Sequence, residues 1–190
     1  QFMEINTIYQ LYSMVLTDSP LLRFAETFLT IPDLINFWLT GQKVSEFTNA
    51  TTTQLYDPRK ENWSAELCQV LNIPLGIFPQ VIQPGTDIGM ILPSITNETA
   101  FQPTRVIAPA CHDTGSAVAA VPVQNESWAY ISSGTWSLMG IEVEEPIITK
   151  HALDLNFTNE GGVDNTFRFL KNIMGLWLVQ ECRRTWSRSG

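Results

Sequence analysis

The chain has 190 residues, 44% hydrophobic and 16% charged, with a formal net charge of −8; that is enough for one medium domain or parts of two around an apolar core. No apolar run approaches the roughly 18–20 residues a membrane helix needs, and the acidic balance argues against nucleic acid or an anionic membrane as the main partner. Three widely spaced cysteines (Cys68, Cys111, Cys182) and two histidines exclude a disulfide framework and a zinc cluster and predict a reducing, cytoplasmic setting.

The opening QFMEINTIYQ has neither an initiator methionine nor the basic-then-apolar order of a secretory signal. The chain is therefore expected to begin partway through a longer protein. The five Asn-x-Ser/Thr triplets at Asn49, Asn62, Asn97, Asn125 and Asn156 are read as chance. Ile5, Ile8, Tyr9, Tyr12 and Val15 fall on one helical stripe. Ser19-Pro20 breaks it, and a second stripe follows through Leu22, Ala25, Phe28 and Leu29. In IPDLINFWLTG, Pro32 suits a first helical turn and Gly41 a C-terminal stop. The Thr-rich EFTNATTTQLYD reads as loop, because its side chains can bond the local backbone. Asn62 is a candidate cap for a helix over about 63–71.

From 76 to 103 the chain is dense in Pro and Gly. TRVIAPA then reads as a buried strand of a parallel sheet. It runs into CHDTGSAVAAVP, a small-residue helix, so strand, turn and helix form one α/β unit with His112-Asp113 at the turn. The QNES stretch predicts a linker, which places a domain boundary near residue 124. WAYISSGTWSLMGIEV reads as two strands around a Ser-Ser-Gly-Thr turn, NFTNEGG as a polar loop, and 167–186 as one helix with Leu170, Ile173, Met174, Trp177 and Leu178 on its apolar side. The late basic residues Arg168, Lys171, Arg183, Arg184 and Arg188 are assigned to a solvated helix face.

Three places carry polar residues that periodicity leaves unexplained. A carboxylate at a strand-to-helix turn sits where open α/β sheets bind ligands, and Asp113 there could take a proton from a hydroxyl nucleophile; it could equally cap its helix. The Ser132–Thr135 turn could offer N–H groups to a phosphate, or be an ordinary hairpin. Asn172 and Gln180, eight residues apart on the expected last helix, could flank a flat ligand or face solvent. No GxxxxGK[ST], GxGxxG, HExxH or GxSxG pattern occurs.

These segments, in this order, resemble the FGGY family of carbohydrate kinases, and within it the rhamnulokinases. IPDLINFWLTG, the HDT turn and SGT match the family loosely; NFTNEGG and KNIMGLWLVQ match the rhamnulokinase group more closely. The resemblance implies an actin-like ATPase fold of two α/β domains. Residues 1–124 would be the later part of the sugar-binding domain, and 125–190 the opening of the nucleotide-binding one. It implies transfer of the ATP γ-phosphoryl group, with Mg2+, to the 1-hydroxyl of L-rhamnulose. Asp113 would be the catalytic base and His112 its sugar-contacting neighbour, with Thr135, Asn172 and Gln180 on the nucleotide side. Kinases of fuculose, xylulose or glycerol, or a binding module on the same fold, remain alternatives. Family members also carry an earlier phosphate segment with an Mg–ATP-associated Asp and a later Gly-rich adenosine segment. Neither is in these residues, so the 190 residues alone are expected to be inactive.

Overall fold

The computed structural model describes residues 3–123 and 127–189; the boundary expected near 124 and most of the QNES linker lie outside them. The first part is mainly helical. Helix α1 (Thr7–Leu16) and the short α2 (Pro20–Arg23) lead into α3 (Ile31–Thr40), which has Pro32 in its first turn and ends on Gly41 in the left-handed region at φ 76°. The buried face of α1 keeps Ile8 and Val15 of the predicted stripe but not its other members. Leu11 is buried with Ile8, Met14 and Val15 packed beside it, while Ile5 is 71% exposed and Tyr9 and Tyr12 stand at the rim. Apolar residues lie almost all round this helix, so the stripe alone does not choose which of them face the core.

Strand β1 (Ser45–Glu46) leads directly into α4 (Phe47–Ala50) and a 3-10 turn at Thr51–Thr53. This is the segment expected to be loop. The local bonding is as anticipated, with the Thr51, Thr52 and Thr53 hydroxyls donating to carbonyls three residues back. Satisfied in this way, the threonines enter the core instead of avoiding it, and Thr48 and Thr53 are fully buried. The hairpin β2 (Tyr56–Asp57) and β3 (Asn62–Trp63) precedes α5 (Ala65–Val70). The cap of α5 is Ser64, whose Oγ accepts from Leu67 N; Asn62 is used in the hairpin. Around these elements Leu55, Ala50, Trp63, Cys68, Ile73 and Ile77 form the main core. Burying a side chain such as Leu55 contributes about 1.5–3 kcal/mol.

Strand β4 (Val81–Ile82) pairs in parallel with β1. Next, β5 (Asp87–Met90), α6 (Pro93–Thr99) and β6 (Arg105–Ile107) follow. The strand expected to be buried in a parallel sheet is instead antiparallel to β5, with Ile107 49% exposed. Its apolar run does not distinguish the two pairings; within it, full burial is reached only past β6, at Ala108 and Ala110. Helix α7 (Asp113–Ala119) follows the turn.

The second part is one antiparallel sheet in the order β7-β8-β10-β9. It comprises β7 (Tyr130–Ser133) and β8 (Trp136–Val143), then, beyond α8 (Lys150–Asp154), β9 (Thr158–Gly161) and β10 (Phe167–Met174), before α9 (Trp177–Ser189). NFTNEGG is therefore largely a strand. The expected long helix is a strand followed by a shorter helix, because 167–174 sits between β8 and β9 and buries alternate residues, Arg168 and Leu170. Val118 of α7 packs on Tyr130 and Leu170, joining α7 to the sheet. Among the described residues no helix is long and apolar enough to cross a membrane.

Candidate functional site

The His112-Asp113 turn hangs on buried carboxylates. Asp33 of α3, fully buried, takes the Thr30 hydroxyl at 2.7 Å and Glu46 N at 3.0 Å. Glu46, also fully buried, accepts from Thr48 N at 2.9 Å, the Thr48 hydroxyl, Asn49 N at 3.3 Å and Cys111 N at 3.0 Å. The Thr48 oxygen accepts in turn from His112 N at 3.0 Å. Two consecutive backbone N–H groups just before α7 are thereby fixed by side chains 65 and 64 residues earlier. Burial raises the Asp33 and Glu46 carboxyls above their ordinary range, with these hydrogen bonds pulling the other way. Burial first, then the Glu46 and Asp33 charges, push the Cys111 thiol up to about 12. It is therefore no nucleophile.

His112 is the residue that precedes α7, in extended conformation and with no side-chain capping bond, and Asp113 is the first helical residue. Asp113 Oδ1 accepts from Thr114 N at 2.6 Å, and its side chain is 96% exposed. That contact reaches only the adjacent residue and leaves the carboxylate facing the cleft, so the capping alternative does not describe it.

Behind His112 lies a charged cluster that sequence reasoning did not find. Arg168, fully buried, donates Nε to Gly161 O at 3.0 Å and Nη2 to Glu160 Oε2 at 3.1 Å; Nη2 also lies 3.0 Å from His112 Nδ1. Burial, the largest effect, holds the His112 imidazole below its ordinary range; Glu160 and Asp113 pull it up and Arg168 down. The basic residue placed on a solvated face is thus the most buried large side chain of the sheet. Gly161 admits this arrangement. A Cβ there would sit 2.6 Å from the Phe47 ring, and its N–H donates to Thr51 Oγ1 at 2.7 Å, which seats β9 against α4 and the 3-10 turn.

The Ser132–Thr135 turn and the His112-Asp113 turn line one cleft of about 550 Å³, to which Asn172, Thr52 and Met3 also contribute. The turn's own backbone is partly consumed. Gly134 N donates to Trp136 O at 2.7 Å, Gly134 O accepts from Leu176 N at 2.8 Å, and Thr135 O accepts from Trp177 N at 3.2 Å. Gly175 allows that docking, since a Cβ there would lie 2.5 Å from Gly134 O. Of the turn's N–H groups, that of Gly134 is thereby spent within the hairpin; Ser132, Ser133, Gly134 and Thr135 all line the cleft.

Of the sequence-derived residues, His112, Asp113, Thr135 and Asn172 meet in this cleft. Gln180 does not: it lies on α9, in a shallow groove with Arg183, Arg184, Ser187 and Arg188. Asn172 is on β10, so the two amides share no helix side. Among the described residues no group of three His, Cys, Asp or Glu side chains is placed to hold a metal ion.

Comparison with known proteins matches residues 3–120 to the N-terminal domain of the FGGY family of carbohydrate kinases and 129–190 to its C-terminal domain. A rhamnulokinase from Oceanobacillus iheyensis is 50% identical over 187 residues, covering 98% of this chain and 39% of that protein. One from Bacteroides thetaiotaomicron is 42% identical over 186 residues, covering 98% and 38%. The chain spans about two-fifths of the length of these curated relatives. The ligand-bound xylulose kinase of Lactobacillus acidophilus superposes with a TM-score of 0.75 at 20% identity, over 89% of this chain and 34% of that one. The Plasmodium falciparum glycerol kinase with ADP gives 0.71 at 16% identity, over 92% and 37%. These neighbours establish the fold as part of the actin-like ATPase architecture.

Proposed function

The chain belongs to the FGGY family of carbohydrate kinases, and from that premise we propose that it is the central part of a kinase that phosphorylates L-rhamnulose at its 1-hydroxyl. The observation that carries this is the meeting of an exposed carboxylate, Asp113, with His112 on one wall of a cleft whose other wall is the Thr135 turn. Identity of 42–50% to curated rhamnulokinases supports the choice of sugar. Residues 1–124 supply the sugar side and 125–190 the opening of the nucleotide side.

In this reading the sugar hydroxyl lies against Asp113. As its oxygen bonds to the γ-phosphorus of ATP, the O–H proton passes to the Asp113 carboxylate, and the bond from phosphorus to the bridging oxygen breaks with its electrons leaving on ADP. A loose transition state leaves mainly positioning and charge stabilisation to the protein. Thr135 donates to a phosphate oxygen, and Asn172 lines the path between the two substrates. Gln180 keeps a nucleotide-side role in this reading, from the separate groove on α9. Among the described residues no three His, Cys, Asp or Glu side chains come together to hold a metal ion, and no step here depends on Mg2+.

The experiment is a titration of the complete protein with ATP and a panel of ketoses and polyols, following ADP release. L-Rhamnulose is expected to give the highest kcat/KM and a sugar 1-phosphate as product. Preference for xylulose, fuculose or glycerol overturns the substrate; ADP release with none of them overturns the enzyme reading in favour of a binding module.

A further inference from the structure

The geometry points to Arg168 as a positioning residue that holds His112 in the tautomer with its proton on Nε2, so that His112 meets a sugar oxygen as a hydrogen-bond donor. A guanidinium has five N–H donors and no acceptor. Its Nη2 lies 3.0 Å from His112 Nδ1, so Nδ1 supplies the lone pair and the ring proton sits on Nε2. Arg168 cannot swing away. It is fully buried, with Nε tied to Gly161 O and Nη2 also bonded to Glu160 Oε2.

The competing partner is Glu160. Its Oε2 is 3.6 Å from the same Nδ1 and its side chain is 11% exposed; without the guanidinium between them, Glu160 would draw a proton onto Nδ1. The charged groups facing His112 are Asp113 on its own helix, Glu160 from β9 and Arg168 from β10, while α4 contributes the Thr48 hydroxyl to its backbone N–H. Burial and Arg168 favour the neutral ring against the two carboxylates.

His112 Nε2 lies 3.8 Å from Asp113 Oδ1, beyond hydrogen-bond length. A hydroxyl between them can accept from Nε2–H while directing its own proton at Asp113. This last step rests on the kinase reading; the tautomer does not.

The test is an NMR experiment on the complete protein labelled with ¹⁵N-histidine, His112 being assigned by comparison with the His112→Gln spectrum. The expected result is a neutral ring protonated at Nε2 at pH 7. Arg168→Met is expected to move a proton to Nδ1, raise the pH at which His112 titrates, and raise the sugar KM about tenfold or more with the ATP KM within about twofold; Arg168→Lys should recover part of this. Should Arg168→Met fail to fold, Glu160→Gln serves: with Arg168 retained, the Nε2 proton should stay and the ring should titrate at lower pH. A wild-type proton on Nδ1 overturns the proposal, as does a folded Arg168→Met with unchanged His112 titration and sugar KM. So does Glu160→Gln shifting the proton to Nδ1. An Nε2 proton in a protein that phosphorylates no ketose would sink the kinase reading and leave the positioning role standing.

Discussion

The two walls of the cleft are built by opposite means. The His112-Asp113 wall rests on side chains: two buried carboxylates below and a buried guanidinium behind, all tied into it by hydrogen bonds. The Thr135 wall rests on backbone, a hairpin turn whose carbonyls receive the first N–H groups of α9 and whose closeness depends on Gly175. Ionised networks of the first kind are costly to break, because a partner left behind is buried and charged, a loss of about 3–5 kcal/mol. The second kind tolerates changes of side chain. The first wall is therefore where chemistry should be most sensitive, and the second where affinity should change with the fold intact.

The largest expected effect tests the first wall. Asp113→Asn keeps shape and removes the basic oxygen, so kcat of the complete protein should fall by at least about 10²-fold with folding unchanged. Retention of more than about a tenth of kcat would remove Asp113 from proton transfer. On the other wall, Thr135→Val should raise the KM for ATP by the equivalent of about 1.5–3 kcal/mol, the worth of a hydrogen bond to a charged group. The sugar KM should barely change. A sugar effect as large would mean that the walls are assigned to the wrong ligands.

Stability separates the walls next. Glu46→Gln turns an acceptor toward the N–H groups of Thr48, Asn49 and Cys111 into an amide, which should cost about 1–3 kcal/mol in urea unfolding. Burial holds the Glu46 carboxyl above its ordinary 4.5, so the folded state binds that proton more tightly than the unfolded one. The group's contribution is then fully present below about pH 4.5 and is lost as pH rises through the raised native value. The deficit of the Gln variant relative to wild type should accordingly shrink on going from pH 4 to pH 7; a deficit that grows contradicts the burial argument. The smallest effect is expected for Gln180→Ala, outside the cleft: at most a neutral hydrogen bond, about 0.5–1.5 kcal/mol in the ATP KM. Loss of kcat there would bring α9 into the site.

What the sequence disclosed was whatever local chemistry decides. Pro32 and Gly41 bracket α3, the hairpin around Ser132–Thr135 forms, and His112-Asp113 opens a helix. The resemblance to a kinase family added roles for Asp113, Thr135 and Asn172, which do meet. The misread elements are those decided by distant partners. Phe167, Leu170, Ile173 and Met174 fit a helical stripe as well as a strand, and only pairing with β8 and β9 chooses. Arg168 looks like surface charge until Glu160 and His112 are brought to it, and Glu46 looks like loop until Cys111 folds back across 65 residues. No window of sequence contains both halves of either network.

That separation has a consequence for synthesis. His112 and Arg168 are 56 positions apart, and the seat of Gly161 on Thr51 spans 110. At roughly 5–20 residues per second on a ribosome, the His112-Asp113 turn is made several seconds before its guanidinium exists. During that interval α4 and α7 can form from local contacts, while Glu160 and Arg168 are still to come. The wall most sensitive to substitution thus waits for a distant segment, and a translational pause between residues 119 and 168 would prolong the stage at which the nascent chain is exposed to misassembly.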